Sequence, residues 1–174
     1  SFPLILSGIS ISLGMRIDQI MLGELRSITD VGLYAVGVRL AESLAIIGAI
    51  VATSAFPRFV KLKGDEFDRE FITVVRYVFY AIFLASIIIS ISSSTIVNIL
   101  FGSTYAGSSS VLSILIFSIP FTFVNVMSTQ YLLKHGYHSA IFLRQASALA
   151  LNVVLNIILI NPLGILGAAI ATVI

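Results

Sequence analysis

The sequence predicts an all-α, polytopic membrane helix bundle, and three observations carry that prediction. Of the 174 residues, 58% are hydrophobic and only 10% are charged, where soluble domains run at about 25% charged. The mean hydropathy is +1.09. The apolar residues fall in runs of about 20, the length that crosses a hydrocarbon core of about 30 Å at about 1.5 Å per residue. The alternating strands of about ten residues that a membrane barrel needs do not occur.

Five runs are long enough to cross: 2–22, 32–56, 74–100, 111–133 and 140–160. A sixth, 164–174, begins before the chain stops. Five full helices and the start of a sixth are therefore expected, in one bundle over 1–174. A chain that opens at Ser1 rather than Met and stops within a run reads as a fragment. No basic segment and no small-residue cleavage site marks the first run as a signal peptide. With no cysteine there are no disulfides or thiolate metal sites. A net charge of +2 is too small to suggest nucleic acid as a partner.

Each run has its own polar content. Run one carries Arg16 and Asp18, with Gly8, Ser12, Arg16 and Gln19 on one arc and Ser7, Ser10, Gly14 and Asp18 on another. Run two carries Arg39 and Glu42, and Ala41, Ala45 and Ala49 at four-residue spacing offer a surface for close helix packing. Run three has Ser86, Ser90 and Ser94 as its main polar residues and is expected at the periphery, with Tyr77 and Tyr80 in the aromatic belt at its start. Run four aligns Ser118, Thr122, Asn125 and Thr129, with a kink at Pro120. Run five aligns Gln145, Ala148, Asn152 and Asn156.

Loop charges orient the bundle. Seven of the ten Lys and Arg residues (Arg58, Lys61, Lys63, Arg69, Arg76, Lys134 and Arg144) lie in or beside the loops 57–73 and 134–139. The opposite side carries Arg26. By the positive-inside rule, residue 1 and those two loops are cytoplasmic. The acidic residues Asp65, Glu66, Asp68 and Glu70 mix with the bases as a solvated loop surface, and His135 and His138 belong to the same wet face.

That orientation puts Arg16, Asp18, Arg39 and Glu42 at a similar depth in the outer half. A charge near the bilayer centre costs about 2.5–3.5 kcal/mol on insertion scales, so charges in spans usually face a cargo pathway or a partner. Arg16 and Asp18, two apart, diverge around a helix, whereas Arg39 and Glu42, three apart, can touch. Two readings stay open: a path for polar cargo, or an ion-pair cluster. Asn125, Asn152 and Asn156 divide in the same way between a cavity lining and hydrogen bonds between helices. There is no phosphate-binding G-x-x-x-x-G-K-[ST] loop and no H-E-x-x-H pair, so nothing points to an ATP-driven pump, a protease or any other enzyme.

Several segments together resemble a known family. Pro3-Leu4-Ile5-Leu6-Ser7-Gly8 leads to Asp18-Gln19-Ile20-Met21-Leu22-Gly23, then Val31-Gly32-Leu33-Tyr34 and Arg39-Leu40-Ala41-Glu42. Phe56-Pro57, Leu100-Phe101-Gly102-Ser103-Thr104-Tyr105, Asn161-Pro162-Leu163-Gly164-Ile165 and Gly167-Ala168-Ala169-Ile170-Ala171-Thr172 follow in order. The ordered set resembles the second half of Wzx-type O-antigen and polysaccharide flippases, of the multidrug/oligosaccharidyl-lipid/polysaccharide exporter superfamily. The resemblance implies half of a MATE-like two-bundle transporter in the bacterial inner membrane. Its cargo would be undecaprenyl-diphosphate-linked oligosaccharide for lipopolysaccharide, moved outward by alternating access. Arg16 and Arg39 would meet anionic groups of that cargo. Asp18 and Glu42 would couple transport to H⁺ or Na⁺ or hold the arginines, with no other cofactor. The partners implied are membrane lipids, an N-terminal bundle outside this chain, a polysaccharide polymerase and a chain-length regulator. A multidrug or organic-cation exporter and a non-transporting scaffold of polysaccharide assembly are the alternatives.

Overall fold

The structure, a computed structural model, describes residues 17–60 and 64–174 together with residue 8; the side chains at 47–49, 51–53, 55–60, 64 and 65 lie outside that description. All regular structure among the described residues is helical. α1 is described over 17–25, followed by α2 (Ile28–Val60), α3 (Gly64–Phe101), α4 (Ser108–Leu115), α5 (Ser118–Lys134), α6 (His138–Leu163) and α7 (Ile165–Val173), with a 3₁₀ turn at Ser103–Tyr105. Among the described residues, three helical segments are long and apolar enough to cross a membrane: Glu66–Phe101, Ser108–Lys134 and His138–Leu163. They contain the runs 74–100, 111–133 and 140–160. The run 32–56 falls inside the 33-residue α2, and most of the run 2–22 lies outside the described residues.

The fourth run is one crossing built from two helices. Pro120 has no N–H to offer the carbonyl four residues back, and its ring crowds that same carbonyl. The carbonyl belongs to Ile116, and the helix breaks between Leu115 and Ser118. The freed groups find other partners. Ser86 Oγ of α3 donates to Ile116 O at 3.2 Å, and Ile119 N reaches it at 3.2 Å. Ser118 Oγ donates to Leu115 O at 2.7 Å, and Ser90 Oγ donates to Ser113 O at 2.9 Å. Broken backbone at membrane depth must be satisfied inside the protein, and the serines of α3 do part of that work.

The α4–α5 pair is the centre of the bundle, with α2 and α3 packed along it and α7 set between α4 and α6. One apolar core joins Leu22, Tyr34, Ala41, Val97, Val111, Leu112, Leu115, Ile160, Ala168 and Ala169. A second, toward the other end, joins Phe67, Phe71, Phe123 and Met127. There the Tyr131 and His135 rings lie 4.4 Å apart, tilted by 31°, and Lys134 Nζ lies 3.2 Å from the centre of the Phe67 ring. α3 turns Tyr77, Tyr80, Leu84, Ile88 and Ile91 outward on one stripe. Contiguous exposed apolar surface of that kind suits a lipid-facing helix.

The α6–α7 hairpin is tight. Gly164 turns the chain with φ 58°, a value that favours glycine. Gly167 lies so close to α6 that a Cβ there would sit 2.1 Å from Leu159 O.

Candidate functional site

Asp18 is 5% exposed, in a helix where a carboxylate needs partners. The fold supplies them from three helices. Gln19 contributes its backbone N–H to Asp18 Oδ1 at 2.9 Å, the geometry of a local turn of α1. Tyr34 of α2, wholly buried, donates its hydroxyl to Asp18 Oδ2. Thr172 of α7 brings Oγ1 to 3.3 Å from the same oxygen and 3.3 Å from the Tyr34 hydroxyl. The single Thr172 proton also has Ala168 O within reach at 3.0 Å. The result is an oxygen-rich cluster: a carboxylate, two hydroxyls and a main-chain carbonyl at the junction of α1, α2 and α7.

A polar seam leads from this cluster into α6. Asn152 Nδ2 donates to Ala171 O at 3.1 Å, one residue from Thr172. Asn156 Nδ2 donates to Asn152 Oδ1 at 3.0 Å. Asn156 is 0% exposed, and its Oδ1 has no hydrogen-bond partner among the described residues. Enclosed acceptors without donors are uncommon because the lost hydration costs about 1–3 kcal/mol. At the loop end of the seam, Arg26 clamps the last turn of α6, donating from Nη2 to Ile160 O at 3.0 Å and Asn161 O at 2.5 Å.

The other residues singled out in the sequence are distributed differently. Arg39 and Glu42 stand on the exposed face of α2, beside Ser43, Ile46 and Ile50. Asn125 belongs to a separate group between α5 and α6, accepting from Gln145 Nε2 at 3.5 Å. Arg16 lies outside the described residues. The structure thus gathers Asp18, Gln19, Asn152 and Asn156 along one seam and leaves Arg39, Glu42 and Asn125 elsewhere.

Two members of the seam escaped the sequence reading. Tyr34 starts run two, within about 3 Å of the boundary from which Asp18 is about 6 Å deep, so matched depth was the available signal. Thr172 is the sole polar side chain of 164–174, which was a second. Among the described residues, no three His, Cys, Asp or Glu side chains converge on a metal-sized site.

Residues 1–110 match the family described as polysaccharide biosynthesis protein. The match includes Asp18 and Tyr34 and stops before Asn152, Asn156 and Thr172. No curated protein and no solved structure matches the chain.

Proposed function

The chain belongs to the polysaccharide biosynthesis protein family, and from that premise we propose that it is part of a flippase for lipid-linked oligosaccharide. The cargo is undecaprenyl-diphosphate-linked O-antigen or a similar unit, moved across the bacterial inner membrane by alternating access rather than changed by catalysis. Residue 1 and loops 57–73 and 134–139 face the cytoplasm. An N-terminal bundle completes the cavity, and a polymerase and chain-length regulator take the product.

The observation that carries this reading is the buried Asp18 with its hydroxyl clasp across three helices. A carboxylate placed there by chance would be an unrewarded cost in an apolar bundle. Its oxygen-rich surroundings, extended by the enclosed Asn156 Oδ1, suit a coupling H⁺ or Na⁺ better than an anionic cargo. Arg39, on the exposed face of α2, is the cargo-facing cation in this reading, with Glu42 beside it and Arg16 a second candidate. A scaffold role draws on one specific observation, that Asp18 already has partners within the bundle.

The two readings separate in a cell that depends on the full-length protein for surface glycan. Asp18→Asn and Arg39→Ala, at unchanged protein abundance, are expected to lower surface glycan at least tenfold. Normal glycan in both variants removes the flippase assignment.

A further inference from the structure

Arg144 is a charged residue that the Asp18 seam does not use. It lies six residues into α6, about 9 Å from the helix start. An arginine at that depth ordinarily extends along the helix to reach the wet interface. This one turns inward. Its Nη2 donates to Thr129 Oγ1 of α5 at 2.5 Å and lies 3.4 Å from Asn125 O. Those acceptors are about 8 Å and about 13 Å from the end of α5, so the guanidinium reaches across to α5 at about its own depth and does not run along α6 to the loop.

Its partners are neutral and already engaged. Thr129 gives its own proton to Asn125 O at 2.7 Å, and Asn125 Oδ1 accepts from Gln145 Nε2 at 3.5 Å. Arg144 Nε is enclosed and has no acceptor among the described residues. No carboxylate of the described residues bonds to the group. A full positive charge is therefore held at the α5–α6 junction by a hydroxyl and a carbonyl, with a donor left over. A guanidinium in that state matches an oxyanion, which accepts two parallel N–H bonds.

We propose that Arg144, framed by Asn125, Thr129 and Gln145, is a binding site for a lipid phosphate group in the cytoplasmic half of the bundle. The phosphate belongs either to the diphosphate of the lipid-linked cargo before it is moved, or to an anionic membrane lipid seated between α5 and α6. The first source rests on the flippase reading; the second does not. The site is separate from the Asp18 seam, which presents oxygens and repels an anion.

The test uses the full-length protein in detergent, with undecaprenyl diphosphate and phosphatidylglycerol as two probes and phosphatidylcholine as the background lipid. Native mass spectrometry reads the bound fraction. Arg144→Gln, which keeps a polar contact with Thr129 but removes the charge, is expected to weaken at least one probe tenfold or more. Arg144→Lys is expected to retain it within about fivefold. Loss of the diphosphate assigns the site to cargo, and loss of phosphatidylglycerol alone assigns it to a membrane lipid. If the native protein binds phosphatidylglycerol through Arg144 but never the diphosphate, the anion site stands and the flippase reading fails. Equal binding of both probes by the native protein and Arg144→Gln overturns the proposal and leaves Arg144 as a tie between helices. Should Arg144→Gln fail to accumulate, Arg144→Lys decides: it keeps the charge but not the two parallel N–H bonds, so it is expected to bind the probe severalfold more weakly, and binding equal to that of the native protein overturns the proposal.

Discussion

Asp18 and Arg144 are both charged side chains within apolar helices, yet their surroundings differ in kind. Asp18 meets the Gln19 N–H and the hydroxyls of Tyr34 and Thr172, drawn from three helices that converge on it. Arg144 meets one hydroxyl and a carbonyl, both from α5, and keeps an enclosed N–H without an acceptor. The first is a finished polar cluster sealed beside an apolar core. The second keeps an unmet donor between two helices. The difference teaches that a charge in a span has no single meaning: what matters is how many of its hydrogen-bonding positions the fold itself occupies.

Four substitutions in the full-length protein would break or sharpen that contrast, read as unfolding free energy by denaturant titration in detergent. Gly167→Val should cost most, about 3 kcal/mol, because its Cβ would collide with Leu159 O and lift α7 off α6. It should also carry Thr172 away from Asp18, so a later Thr172→Val should add little. Tyr34→Phe comes next, at about 2 kcal/mol, since it removes a buried hydrogen bond to a charged group. A double-mutant cycle with Asp18→Asn should show coupling of about 1–2 kcal/mol; independent effects would mean that the cluster is not a unit.

Ser86→Ala should cost about 1 kcal/mol, the worth of the bond to the carbonyl that Pro120 leaves free. Arg144→Gln should have the smallest effect, within about 0.5 kcal/mol, because removing a charge with only neutral partners also removes its desolvation cost. A loss as large as that for Tyr34→Phe would make the two charged regions alike and end the contrast.

Much of the fold was legible because lipid imposes one rule on sequence: a crossing segment must be helical and apolar. Runs 74–100, 111–133 and 140–160 each lie inside a helical segment long enough to cross, the second of them broken once. Pro120 announced the break in the fourth run, since proline removes one N–H wherever it stands. The candidate site was only partly legible. Asp18, Asn152 and Asn156 stood out as polar residues in apolar surroundings. Arg144, counted with the loop charges that orient the bundle, did not, because its place near a run's end said nothing about where its side chain turns.

By itself, the sequence determined the helical class, the apolar segments and the short set of polar residues that need an explanation. It did so because hydropathy and helix period are local properties. Only the tertiary structure decided that Tyr34 and Thr172, 138 residues apart, close on Asp18, and that the serines of α3 serve the break in its neighbour. It alone turned Arg144 inward. Which donors meet which acceptors depends on how helices rotate and approach one another, and that is set by packing across the bundle, at contacts such as Gly167 on Leu159.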